Sequence, residues 1–298
     1  MKYRLLNAVC ISLLLASLPS WAQWLAPEHQ SHPLVGQLWY TTDDQFTDLD
    51  ELIDSLAPGS WLLMGELHDN PDHHQLQTQM IEALAAQSRL GSVAFEMATS
   101  EMQSELDAWL GRGQEVTPED LGWSQGWGWS RYEAQVRAAL DHAVAVIGAD
   151  LPRDAQRAAY QTGAPEGILD HAHSEFMKDL LFSSHCEQLP RGHLDNMLQV
   201  QLARDQHMAQ RMSQHRVSDK VNVFIAGAIH THHDLGVPRW MPASIPVKVL
   251  LLSALSESTH AQTYLPSSYP GSPLAQLSAD ILWFTPANTP QDYCAAFK

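Results

Sequence analysis

Two stretches of this sequence share one form, an apolar run closed by a glycine with a histidine three residues on: Gly65-Glu66-Leu67-His68 and Gly227-Ala228-Ile229-His230. Two further apolar runs end in Glu96 and in Asp150-Leu151-Pro152-Arg153. Imidazoles beside carboxylates support two kinds of chemistry, because neutral nitrogens and ionised oxygens bind a cation and groups of separated pKa move protons. Glu66, His68, Glu96, Arg153 and His230 are therefore the candidate catalytic set, with Arg153 as a fixed positive charge for a carboxylate or oxyanion. Within it, His68, His230 and Glu66 are the candidate ligands of a divalent metal ion. A single such residue would be an ordinary solvated loop side chain; four at corresponding strand ends are expected to converge. The glycines are read as allowing sharp turns.

A second set surrounds the first. His73 and His74 fall in the first turn of a helix, and only His74 shares a face with Gln77 and Ile81 at i, i+3 and i+7. Trp123, Trp127 and Trp129 either pin an irregular loop to the core or, with Tyr132, line a slot for a large planar ligand such as a porphyrin. In the second case Tyr132 is the candidate axial oxygen, His74 the next candidate, and Trp129 part of the slot. His232 and His233 are read as rim residues.

The elements that must position these residues alternate short apolar runs with amphipathic segments, the signature of an α/β domain. Strands are expected at 61–65, 92–97, 143–148, 221–226 and 247–252, with a weaker sixth at 281–284. Asn70 is an N-cap and Pro71 a first helical residue for a helix carrying Leu76, Met80, Ile81 and Leu84 inward, so a parallel β-α-β pair is expected. Helical insertions at about 98–142 and 151–220 suggest a lid over a mainly parallel sheet of five or six strands, all within a single domain over 23–298.

Composition restricts function. The 298-residue chain has 45% hydrophobic residues and a formal net charge of −17, so it can bury a substantial core but repels nucleic-acid phosphates and anionic lipid. Lys2 and Arg4 precede an apolar run that closes at Ser20-Trp21-Ala22, too short for a spanning helix. It reads as a signal peptide over residues 1–22, giving a periplasmic or secreted protein with no membrane span after cleavage. Cys186 and Cys294 then meet an oxidising compartment, where they pair or stay as separate buried thiols.

The run from Gly65 to His74, the strand end Phe95-Glu96-Met97, Trp129 to Tyr132, Ala149 to Arg153, Arg204-Asp205 with Met208 between Gln201 and Ala209, and Gly227 to His230 followed by Gly236-Val237-Pro238 resemble the ChaN family of exported, iron-regulated haem-binding proteins. That family belongs to the haem-uptake/Tiki superfamily, which includes metal-dependent proteases and is similar to erythromycin esterases. The resemblance maps the superfamily's histidines, glutamate and arginine onto His68, His230, Glu66 or Glu96, and Arg153. It implies a haem-binding protein of haem or iron acquisition, with outer-membrane haem-uptake machinery and a second copy of the chain as candidate partners. It also implies an alternative, a metal-dependent hydrolase; a non-catalytic periplasmic interaction protein is the third reading. Enzyme activity is left open. Family members are often lipoproteins, whereas Cys10 lies inside the apolar run, so tethering is not expected here.

Overall fold

The computed structural model describes residues 23–165, 169–266 and 278–295. The expected leader at 1–22 lies outside them. In chain order the elements are β1 (Leu38–Tyr40), β2 (Gln45–Thr47), α1 (Leu49–Ser55), β3 (Trp61–Glu66), α2 (Pro71–Ala86), β4 (Leu90–Thr99), α3 (Gln103–Ala108), α4 (Trp129–His142), β5 (Ala145–Asp150), α5 (Arg153–Thr162), α6 (His171–Ser184), α7 (Leu194–Gln214), β6 (Val221–Gly227), α8 (Ala228–Thr231), β7 (Val247–Ala254) and β8 (Ile281–Thr285). The strands form one sheet in the order β2-β1-β8-β7-β3-β6-β4-β5.

The α/β class is as expected, with eight strands rather than five or six. The two additional strands, β1 and β2, are three residues each and pair antiparallel at one edge, too short to show a period in the sequence. All other pairings are parallel. The expected β3-α2-β4 unit exists, but its strands are not neighbours: β6 inserts between them, with Glu66 opposite Gly227 and Phe95 opposite Ile225. At the other edge the Gln103 side chain bonds the outer strand, donating to the Val146 carbonyl at 2.8 Å and accepting from the Gly148 N–H at 3.2 Å.

Strand periodicity divides the core. Leu62 and Met64 face a layer that includes Met80, Ile81 and Leu84 of α2 and Val136 and Leu140 of α4. Trp61 and Leu63 face the other way, with Met208, Ala209 and Met212 of α7. Each such side chain taken fully from water contributes about 1.5–3 kcal/mol. The insertions expected as a lid are thus partly structural layer. Only α6 and the first half of α7 make a separate small core, around Met177, Leu181, Leu198 and Leu202. Asn70 caps α2 as expected, accepting from the Asp72 N–H at 3.0 Å.

Three histidines are held neutral by this packing. His73 is fully buried; its Nδ1 accepts from the Leu67 N–H at 2.9 Å and its Nε2 lies 2.9 Å from the Thr285 hydroxyl, and burial with the charge of His74 lowers its pKa to about 3. Burial lowers His173 and His232 to about 4. His232 is therefore interior, not rim as the sequence suggested, while His233 is half-buried and lies 2.8 Å from Asp280. Below pH 6.5 an unfolded histidine takes a proton that these sites refuse, so stability is complete above that pH and falls as pH falls toward the folded values. Each of the three contributes up to about 1.4 kcal/mol per pH unit. Urea unfolding between pH 7.5 and 5 should show the free energy dropping steeply below pH 6.5; a flat profile there would contradict neutral burial.

Candidate functional site

The carboxyl ends of β3, β4, β5 and β6 meet, as the sequence implied, and build two adjoining polar groups. The first centres on Glu66, the last residue of β3 and 2% exposed. Its Oε1 accepts from the Tyr132 hydroxyl at 2.7 Å and lies 2.8 Å from His68 Nδ1; its Oε2 accepts from Gln77 Nε2 at 2.6 Å. His74, inward as its spacing indicated, sits with Nε2 3.6 Å from the same oxygen and its ring 4.9 Å from that of Tyr132. Burial, more than any charge, lowers the His74 pKa. For His68 burial also opposes protonation, but the Glu66 hydrogen bond and the charges of Glu96 and Glu66 outweigh it and the pKa rises.

The second group centres on Arg204 of α7. Its Nε and Nη2 grip Asp150 at 2.8 and 3.0 Å, Nη2 also reaches Glu96 Oε1 at 2.8 Å, and Nη1 lies 3.1 Å from His230 Nε2. His230 Nδ1 meets Asp205 at 2.6 Å, and its Nε2 lies 3.4 Å from Glu96 Oε1. Glu96 Oε2 accepts from the Gly227 N–H at 2.7 Å. Burial alone would raise the Glu96 pKa, but the charges of His230 and Arg204 hold it down to about 2. Burial likewise works against a proton on His230, and Glu96 and Asp205 overcome it, raising its pKa. His68 lies near the same carboxylate, whose charge raises its pKa: a Cβ on Gly227 would meet His68 Nε2 at 2.8 Å and Glu96 Oε2 at 3.5 Å.

Several expectations change. Arg153 is exposed at the start of α5, lining the open cavity; the cation against Glu96 is Arg204. The adjacent charged residues Arg204-Asp205, interrupting the apolar stripe of Leu198, Leu202, Met208 and Met212, were the sequence signal for it. Among the described residues no group of three or more His, Cys, Asp or Glu is arranged to hold a metal, so the set expected from His68, His230 and Glu66 gains no support. The guanidinium stands where a cation would be needed. Gly65 and Gly227 are required by close approach, not by turns: a Cβ on Gly65 would come within 2.3 Å of Thr231 Oγ1. Tyr132, the expected axial oxygen, is fully buried, and burial together with the Glu66 charge pushes its pKa up, so it acts as a hydrogen-bond donor.

The tryptophans differ in what they pack against. Trp123 donates to the Trp127 carbonyl at 2.6 Å and packs edge-on against Trp129 at 5.3 Å, pinning the loop. Trp127 instead lies 4.9 Å from the ring of His68. Beside it opens a cavity of about 970 Å³, whose walls carry Glu101, Glu105, Glu119, Asp120 and Asp150 against Arg153 and Arg204.

A family described as "Haem-binding uptake, Tiki superfamily, ChaN" matches residues 52–241. The solved structure of ChaN of Campylobacter jejuni with haem bound cofacially is similar in fold: 21% identity, TM-score 0.66, covering 83% of this chain and 95% of that one. The type III effector HopBA1 (15% identity, 77% and 88% covered, TM-score 0.44) and an erythromycin esterase, EreC, in its open conformation (13%, 86% and 84%, TM-score 0.41) are looser likenesses. Among curated proteins there is no significant match.

Removing one side of a buried ion pair leaves an uncompensated charge, at a cost of about 3–5 kcal/mol. Arg204→Met should destabilise the fold by that amount in urea unfolding. Adding Glu96→Gln should recover part of the loss, and a cost below about 1 kcal/mol for Arg204→Met would show that the guanidinium does not balance these carboxylates.

Proposed function

The chain belongs to this haem-binding ChaN family of the Tiki superfamily, and on that basis we propose that it is an exported haem-binding protein of haem or iron acquisition whose cargo docks at the strand ends through His68. One observation carries the location. His68 has its Nδ1 occupied by Glu66 and Tyr132, no described group hydrogen-bonds its Nε2, and its side chain is 37% exposed beside Trp127. Because Glu66 pairs with Gly227, the exposed Leu67 and Ile229 follow neighbouring strand ends.

These residues fit haem. An imidazole nitrogen is an iron ligand, and a carboxylate on the opposite ring nitrogen fixes its tautomer and raises its basicity. Trp127, Leu67 and Ile229 give a porphyrin face apolar ground. The acidic cavity walls oppose propionates, whereas Arg131, exposed on α4 and close enough to act on His74, offers a cation. Haem would bring the iron and the conjugated ring; the protein supplies the ligand, the apolar bed and the countercharge.

The Cys186–Cys294 disulfide supports export, since such bonds persist in oxidising compartments. Outer-membrane uptake machinery is the partner this role would need. The Campylobacter jejuni protein binds haem cofacially; here the same apolar rim would let a second haem-loaded copy close face to face, giving a homodimer.

Haemin titration followed in the Soret region tests the reading. Wild-type protein should bind, Glu66→Gln should weaken binding about 10- to 100-fold by loosening the ligand's support, and His68→Ala should lose more. Tyr132→Phe should keep the ferric spectrum close to wild type. Full binding by His68→Ala would sink the proposed ligand, and no binding by wild type would sink the function.

A further inference from the structure

Resting on the haem reading, we propose that the segment following β8 is a positioning strap for the loop that carries His68, and that the Cys186–Cys294 disulfide sets how firmly the strap is held. From the last residue of β8 onward, the contacts advance along that loop toward the ligand. Thr285 Oγ1 lies 2.9 Å from His73 Nε2, the Pro286 carbonyl accepts from Asn70 Nδ2 at 2.9 Å, and Asn288 Nδ2 donates to the Asp69 carbonyl at 2.8 Å. The Tyr293 hydroxyl donates to the Asp69 carboxylate, one residue from His68. The next residue, Cys294, is bonded to Cys186 in the turn after α6, 108 positions away in sequence and 5.4 Å between Cα atoms.

Burial does little to hold the end of this strap. Tyr293 is 63% exposed, so its ring gains little from packing, and a hydrogen bond that water can replace is weak on its own. The covalent tie keeps the Tyr293 hydroxyl beside Asp69 by restricting where the segment can go. Reduction by a dithiol would release it: two electrons and two protons pass to the protein, the S–S bond breaks, Cys186 and Cys294 become thiols, and the dithiol closes to its own disulfide. With the strap's end free, Asp69 loses its side-chain partner and the His68 loop samples orientations that do not present Nε2 to iron.

The double variant Cys186→Ser with Cys294→Ser avoids any effect of reductant on ferric haem, and Tyr293→Phe keeps the disulfide while removing one bond. Each is compared with oxidised wild type by haemin titration and by amide exchange of peptides spanning residues 66–70. The proposal expects haemin affinity about three- to tenfold lower in the double variant, the worth of one net hydrogen bond, with faster exchange confined to that loop and a change of the same kind and similar size in Tyr293→Phe, which removes that bond directly. Equal affinity and equal exchange overturn it. Faster exchange spread equally through β3 and β6 also overturns it, since that is general destabilisation. If the double variant does not fold, Tyr293→Phe decides by the same two readouts. If no form binds haemin, the functional reading fails, and the exchange data alone decide whether the strap holds the loop.

Discussion

The buried guanidinium of Arg204 is the interaction on which the strand-end architecture depends. Glu66, Glu96, Asp150 and Asp205 are all at most 5% exposed and stand close together. Carboxylates at that depth lose hydration worth several kcal/mol each and repel one another unless opposite charge and hydrogen bonds replace the water. Arg204 meets two of them directly and reaches His230, which in turn holds a third; the Gly227 N–H completes Glu96. Because α7 both covers the sheet with Met208 and Met212 and supplies Arg204, packing of the helix and neutralisation of the strand ends are one event.

That division of labour leaves the two histidines in different conditions despite their matching sequence contexts. His230 has both nitrogens engaged and is 8% exposed, so it serves the charge balance of the interior. His68 has one nitrogen engaged and its ring at the surface. A repeated sequence form thus yields one interior histidine with both nitrogens engaged and one whose ring is partly exposed, and the difference arises from what each loop packs against rather than from the motif.

Much of the site was legible because strand ends are fixed by periodicity. The apolar runs before Glu66, Glu96, Asp150 and Gly227 place those residues on one edge once the strands are parallel, whatever their order. The order itself was not legible: hydrophobic runs buried on both faces carry no mark of their neighbours, so the insertion of β6 between β3 and β4 could not be read. Arg153 was read as the cation because it follows a strand end in sequence, whereas Arg204 reaches the strand ends from a helix 54 residues beyond Asp150. Whether Tyr132 would coordinate or donate turned on burial, which a residue's identity does not give. The pairing of Cys186 with Cys294 was open for the same reason, since it depends on how a loop and a distant terminus meet in space.

The sheet's two flanks restrict how copies of this molecule can associate. One edge is β2, only three residues long, and at the other Gln103 occupies a carbonyl and an N–H of β5. A short strand and a side-chain-capped ladder are poor templates for strand addition from another chain, the usual route by which open sheets polymerise. Growth of the sheet by strand addition is therefore discouraged at both ends.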